Sequence, residues 1–173
     1  VLDAQGAVVT TAVTNLDVHD LARSARTYRC TDYFVAHPIA AQRELVERIR
    51  THWLEGSSGR RIPDRREALS LLRIVESLEV AIDRLGGRSR VEIWATAARE
   101  LGTCLPFAEA KARLAGHGGP VLVVFGTGWG LAASVIAQVD AVLEPIAAEH
   151  SDYNHLSVRA ACAIALDRLM GER

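Results

Sequence analysis

Residues 121–132, VLVVFGTGWGLA, run an apolar segment straight into three glycines and back into apolar residues. Val, Leu, Val, Val and Phe in a row leave no polar face, which predicts a strand over 121–125 buried on both faces, as in the middle of a parallel sheet. Gly126, Gly128 and Gly130 follow as a turn of bare main chain that a ligand can approach closely. The position of this unit is the tightest constraint. It comes late, so the sheet must be largely built before it, and any site at the turn must be completed by C-terminal loops.

The rest of the chain alternates in the way such a sheet requires. AVVTTAV (7–13) reads as a strand. Residues 17–28 read as a helix with Asp17 as its cap, and DYFVAH (32–37) as a strand. Pro38 opens an amphipathic helix to about Leu54, because proline fits a first helical turn. GSSGRRIP (56–63) has the glycine, serine and proline of a loop, and DRREAL (64–69) is a short helix. LLRIVES (71–77) fits either period. Residues 78–85 read as a helix, VEIWAT (91–96) as a strand, and 107–116 as a helix ended by Gly116. After the glycine turn come a helix over 131–139, a strand AVLEP (141–145) and a last helix over 155–170. Alternation of this kind predicts an α/β fold with a mostly parallel sheet flanked by helices, in one domain spanning residues 1–173.

Charge and cysteine content narrow the function classes. Net charge is -1, so the whole molecule is not a polyanion trap. Lys111 is the only lysine, and the remaining positive charge is arginine. Compositional bias is the first explanation, although arginine also grips phosphate better than lysine does. Cys30, Cys104 and Cys162 are far apart and form no CxxC, which predicts neither a disulfide framework nor a zinc site. A reduced, cytoplasmic setting is expected, with Cys162 as a small core residue. No apolar run approaches the ~20 residues of a membrane helix. The chain opens at Val1 and shows no signal peptide.

The glycine turn admits two ligands. GxGxG between strand and helix is one residue short of the dinucleotide fingerprint, and Glu144 falls near the position of that fingerprint's ribose acid. Against a dinucleotide, only one strand remains after Gly130, and Trp129 would crowd a pyrophosphate. Trp129 could instead wall an apolar pocket or pack in the core. The last loop (144–161) gathers Asp152, Tyr153, Asn154, His155 and Ser157 before an apolar helix. Asn154 or Asp152 suits the cap of that helix, which leaves polar groups to spare.

TAVTNLDVHDLARSARTY, FGTGWGLA, and LEPI followed by DYNHLSVRAACAIALDRL together resemble the SPOUT, or α/β-knot, RNA methyltransferases, and within them a small bacterial branch. The resemblance covers nearly the whole chain. It implies a C-terminal trefoil knot, a homodimer, and S-adenosylmethionine (SAM) held bent by three loops. Those loops map to Thr96, Ala97 and onward to Arg99; to Phe125, Gly126, Thr127, Gly128, Trp129 and Gly130; and to Leu143 through Leu156, with Glu144, Pro145, Ile146, Asn154, His155 and Leu156 on the cofactor. SAM has no phosphate to cradle, so the glycines would serve the adenine edge, with Ile146 and Leu156 as apolar walls.

By the same resemblance, Asn15 and Ala25-Arg26-Thr27 match the Asn and Ala-Arg-Thr elements of ribose 2'-O methyltransferases. Arg26 would then bind the target phosphate or help activate the nucleophile. Asn15, His19 and Arg23 join it on structured RNA, tRNA or rRNA; apart from the resemblance, the arginines at 60, 61, 65 and 66 read first as a solvated loop, which would extend that surface if it touches phosphates. Asp152 and His155 are the candidate general bases, with Asn154 and Ser157 beside them. The match has departures. Tyr153-Asn154-His155-Leu156-Ser157 replaces a Ser-Leu-Asn-Val-Ser run, Arg159 replaces a small residue, and related sequences open with a further apolar strand. The target atom, ribose 2'-O or a base nitrogen, stays open. So do two alternatives: a knotted RNA-binding module without catalysis, and a Rossmann-like nucleotide-binding protein. No metal is expected in the chemistry.

Overall fold

A computed structural model describes residues 1–150 and 153–172 of the chain. The chain forms two compact units, Ala12–Ala81 and Val1–Thr11 with Ile82–Arg173. Each contains its own strands, and every strand ladder among the described residues is parallel. The elements are therefore those of an α/β fold, as the alternation predicts.

In the Ala12–Ala81 unit, α1 (Asn15–Thr27) is followed by β1 (Tyr33–Ala36), α2 (Ala40–Leu54), α3 (Ser57–Arg61), α4 (Pro63–Leu69) and β2 (Leu72–Val75). β1 and β2 pair in parallel from Tyr33↔Leu72 to Ala36↔Val75. Val18 and Ala22 on α1, Val35 on β1, Val46 on α2, and Ala68, Leu69 and Leu72 form the buried core. Thr14, not Asp17, caps α1. Its hydroxyl accepts from Asp17 N–H at 3.2 Å while Asp17 Oδ2 accepts from Thr14 N–H at 3.2 Å. Asp17 is thus the third-residue partner of a reciprocal capping box. The stretch expected as a loop over 56–63 is instead helix boundaries. Gly56 precedes α3 and Pro63 is the first residue of α4, where proline's missing N–H costs no hydrogen bond.

α5 (Leu78–Arg84) leads on to β3 (Glu92–Ala95), α6 (Phe107–Gly116), β4 (Val121–Val124), α7 (Ala133–Ile136), β5 (Ala141–Val142) and α8 (Val158–Met170). The sheet order is β4-β3-β5, all parallel. Here the apolar run misleads. β3 is central, with Ile93, Trp94 and Ala95 fully buried, whereas β4 pairs only with β3 among the described residues and is half-buried throughout. Trp94 anchors the core with Leu105, Phe107, Ala110, Leu143, Ala165 and Leu169. An aromatic of that size contributes about 2–3 kcal/mol by burial. Its indole N–H, which would be costly to bury unmatched, donates to Glu92 Oε1 at 2.6 Å.

Three further expectations fail for local reasons. Residues 7–13 form no strand. Asp3 Oδ1 accepts from the N–H groups of Gln5 and Ala7, turning the chain so that Val8 makes only an isolated antiparallel bridge with Leu2. The helix after the glycine turn shrinks to α7, and the strand over 141–145 to β5 with a further bridge, Leu105↔Leu143. Cys162 is buried on α8, as expected. No helix among the described residues is long and apolar enough to cross a membrane.

Candidate functional site

β3, β4 and β5 run parallel in register, Ala95 opposite both Val124 and Val142. Their carboxyl ends therefore lie along one edge of the sheet, the edge where α/β sheets place their ligands. The three predicted cofactor loops leave from that edge. Thr96 N–H and hydroxyl both donate to Val124 O, at 3.0 and 3.1 Å, which fixes the first loop to the second. Leu143 N–H donates to Ala95 O at 2.8 Å, which starts the third loop beside the first. Farther out, Asn154 Nδ2 donates to Ala98 O at 2.6 Å.

The glycine turn is shaped by its neighbours as well as by any ligand. Gly128 has φ +59°, and a Cβ there would meet Leu2 O at 2.9 Å. A Cβ on Gly126 would press on Leu131 N at 3.0 Å. Trp129 N–H donates to Leu2 O and Leu2 N–H to Gly130 O, while the hydroxyls of Thr11 and Thr127 share a hydrogen bond of 2.5 Å. The N-terminal segment thus braces the turn. The N–H groups of Gly126, Thr127 and Gly128 have no partner among the described residues, so they remain donors for a ligand. Phe125 is half-buried and Ile146 packs on the core around Trp94.

Trp129 is not core: it is 62% exposed, and Tyr153 is 77% exposed. The His155 ring lies between them, 5.9 Å from the Trp129 ring in a T-shaped contact and 5.1 Å from Tyr153. Leu156 is exposed as well. Leu143 is buried and offers a ligand only main chain. Glu144 Oε1 accepts from Phe107 N–H at 2.9 Å, supplying the first turn of α6 with an acceptor that its N-cap, Pro106, lacks. The cap of α8 is Ser157, whose hydroxyl accepts from Ala160 N–H at 3.2 Å, in place of the expected Asn154 or Asp152. A short Ser side chain directly before the helix reaches that N–H, while Asn154 is drawn to Ala98. Asp152 lies outside the described residues.

The residues expected on RNA lie on α1. Asn15, His19 and Arg23 share one face at four-residue spacing and line a cavity of about 540 Å³. Arg26 is turned elsewhere: its guanidinium pairs with Glu67 on α4, with Nε 2.9 Å from Oε1. The cavity also contains Arg48, His52 and Trp53 of α2 and Arg65 of α4. Sequence reasoning missed the first three as site residues. The available signal was the pairing of Arg48 with His52, and Ile49 with Trp53, four residues apart on α2. Burial, and then the nearby Arg65 guanidinium, push the His19 imidazole below the ordinary histidine value.

A family model described as SAM-dependent RNA methyltransferase matches residues 1–171. The chain belongs to that family. A tRNA (guanine-N(1)-)-methyltransferase of Nitratidesulfovibrio vulgaris is 42% identical over 164 residues, covering 94% of this chain and 38% of that protein. The chain thus spans about two fifths of this relative, whose name describes the whole. A probable methylase family protein from Haemophilus influenzae superposes with TM-score 0.65 at 18% identity over 92% of this chain and 61% of that one. TrmJ from Z. mobilis does so with TM-score 0.64 at 16% identity, over 91% and 64%. These two likenesses carry the fold: it is that of the SPOUT methyltransferases, and the Rossmann alternative falls with it.

Proposed function

We propose that the chain transfers a methyl group from SAM to RNA, with tRNA as its substrate and a homodimer in the cytoplasm as its working form. The observation that carries this is the convergence of three loops at the carboxyl edge of β4-β3-β5, with free N–H groups at Gly126, Thr127 and Gly128 between them. The residues present suit SAM. Bare amides meet the adenine edge, Ile146 supplies an apolar wall, and no phosphate cradle is needed. SAM, when bound, supplies an electrophilic methyl on a sulfonium leaving group. The trefoil threading of the last segment belongs to the same proposal.

The chain's own residues then have distinct tasks. Asn154 holds the last loop against the first. His155, exposed between Trp129 and Tyr153, takes the proton from the target atom, with Asp152 as the other candidate base. Arg26 holds the target phosphate, for which it must exchange Glu67. The target is a ribose 2'-O, by the match of Asn15 and Ala25-Arg26-Thr27, or a base nitrogen, the atom named for the Nitratidesulfovibrio vulgaris relative. Titration calorimetry with SAM, followed by transfer of label from methyl-labelled SAM to tRNA, tests the proposal. Binding and labelled tRNA are expected, and nucleoside mass spectrometry then names the atom. No binding at millimolar SAM would overturn it.

A further inference from the structure

We infer that the cavity between α1, α2 and α4 is a phosphate subsite for the RNA strand, held by Arg48 and Arg65 together with Arg23. This rests on the RNA reading above and adds to Arg23 and Arg65 the α2 residues Arg48, His52 and Trp53, which neither the family resemblance nor the sequence brought into the site.

Charge balance is the first ground. Three arginines and two histidines line the cavity, against the single carboxylate of Asp20. Four arginines elsewhere are matched, Arg50 with Glu47 at 3.0 Å, Arg73 with Asp32 at 2.9 Å, Arg88 with Asp140 at 2.7 Å and Arg113 with Glu92 at 2.5 Å, while exposed ones such as Arg84 stand singly in solvent rather than grouped. Arg48 has no partner among the described residues, and Arg23 reaches Asp20 only at 4.0 Å. Cations gathered without counter-charge repel one another, and an anion between them removes that cost.

Arrangement is the second ground. The Arg65 guanidinium lies over the Trp53 ring, 4.9 Å from its centroid, and the His19 and His52 rings meet the same indole edge-on at 5.4 and 5.7 Å. Stacking fixes the plane of the guanidinium and leaves its N–H edge free for a bidentate contact with phosphate oxygens. His19 Nδ1 is buried without a hydrogen-bond partner. Asn15, His19 and Arg23 extend the lining along two turns of α1, about 12 Å. A row of that length suits consecutive phosphates of a strand better than one free ion.

The test measures binding of fluorescently labelled tRNA against salt concentration. Parent, Arg48→Gln, the double variant Arg48→Gln/Arg65→Gln, and Arg84→Gln as a charge-matched control on α5 are compared. Arg48 is exposed and has no partner among the described residues, so its substitution is expected to leave the fold intact, which equal melting of parent and variant checks. The log–log slope should shrink by about 0.7–0.9 for each cavity arginine removed and stay at the parent value for Arg84→Gln. SAM binding should be equal in all four. An unchanged slope in Arg48→Gln, or an equal loss in Arg84→Gln, overturns the subsite and leaves the RNA reading standing. A parent that binds SAM but no tRNA overturns both. Displacement of tRNA by a micromolar nucleoside 5'-monophosphate, lost in Arg48→Gln, would assign the cavity to a free nucleotide and overturn the strand assignment.

Discussion

The side-chain amide of Asn154 donates to the main-chain oxygen of Ala98 at 2.6 Å, across 56 residues of chain. This bond joins the last polar loop to the loop after β3, two of the three segments proposed to enclose SAM. Asn154→Ala removes it and leaves a partly exposed carbonyl for water to satisfy. The expected loss is about 0.5–1.5 kcal/mol, or roughly 2- to 12-fold in SAM affinity. Calorimetry with unchanged affinity in the variant would detach Asn154 from the cofactor site.

Arg26 and Glu67 form an exposed pair, with side chains 46% and 56% accessible. Such pairs contribute about 0–1 kcal/mol to stability. Arg26→Ala should therefore melt near the parent yet bind tRNA more weakly. Glu67→Ala, which frees the guanidinium, should bind tRNA at least as tightly as the parent. Equal weakening in both variants would mean that the pair positions α1 and α4 and that Arg26 does not meet RNA.

Ser157 caps α8 and also stands among the residues first expected to be catalytic. Ser157→Ala should cost about 1 kcal/mol in urea unfolding. Ser157→Asp keeps an acceptor at the cap and favours the helix N-terminus electrostatically, while removing the hydroxyl. Methyl transfer retained in the Asp variant confines Ser157 to capping. Transfer lost in a stable Asp variant gives the hydroxyl a chemical part.

Asp140 accepts from Ile93 N–H at 2.8 Å and from Arg88 at 2.7 Å. Burial alone would raise its carboxyl, but these hydrogen bonds and the Arg88 and Arg113 charges prevail and hold it below the ordinary aspartate value. A carboxyl lowered in the folded state contributes stability above its unfolded value, and loses it as pH falls through the folded one. The Asp140→Asn variant should be about 1–2 kcal/mol less stable than the parent at pH 7. The gap should narrow below about pH 4, where unfolded aspartate protonates. A gap that stays constant to pH 2 would contradict the assignment.

Gly128 combines φ +59° with the Leu2 oxygen 2.9 Å from where a Cβ would sit. Gly128→Ala should cost about 1–3 kcal/mol and weaken SAM binding as the turn shifts. Calorimetric melting with no change would show that the turn adapts freely.

Periodicity and punctuation carried most of the fold. Residues 107–116 were legible to the residue because an apolar stripe ended on a glycine. β3 and α5 were legible to within two. The order of strands in the sheet was not, because burial of a strand depends on partners distant in sequence. Hence β4, the most apolar run, lies at an edge, and β3, which begins with Glu92, occupies the centre. Hydrogen bonds that span the chain were equally hidden. Nothing local marks Glu144 as the acceptor for Phe107 N–H, or Thr11 as the partner of Thr127. The α1 face was visible as Asn15, His19 and Arg23. Arg48, His52 and Trp53 were missed because their stretch reads locally only as an amphipathic helix.

The bond from Phe107 to Glu144 makes one helix a gauge of a distant loop. If the segment after β5 swings out to admit or release a small molecule, the first turn of α6 loses its acceptor and begins to fray. Exchange of the Phe107 amide proton with solvent deuterium should then slow when the loop is pinned shut. That gives a reporter of gating on an element outside the three loops proposed to enclose the cofactor.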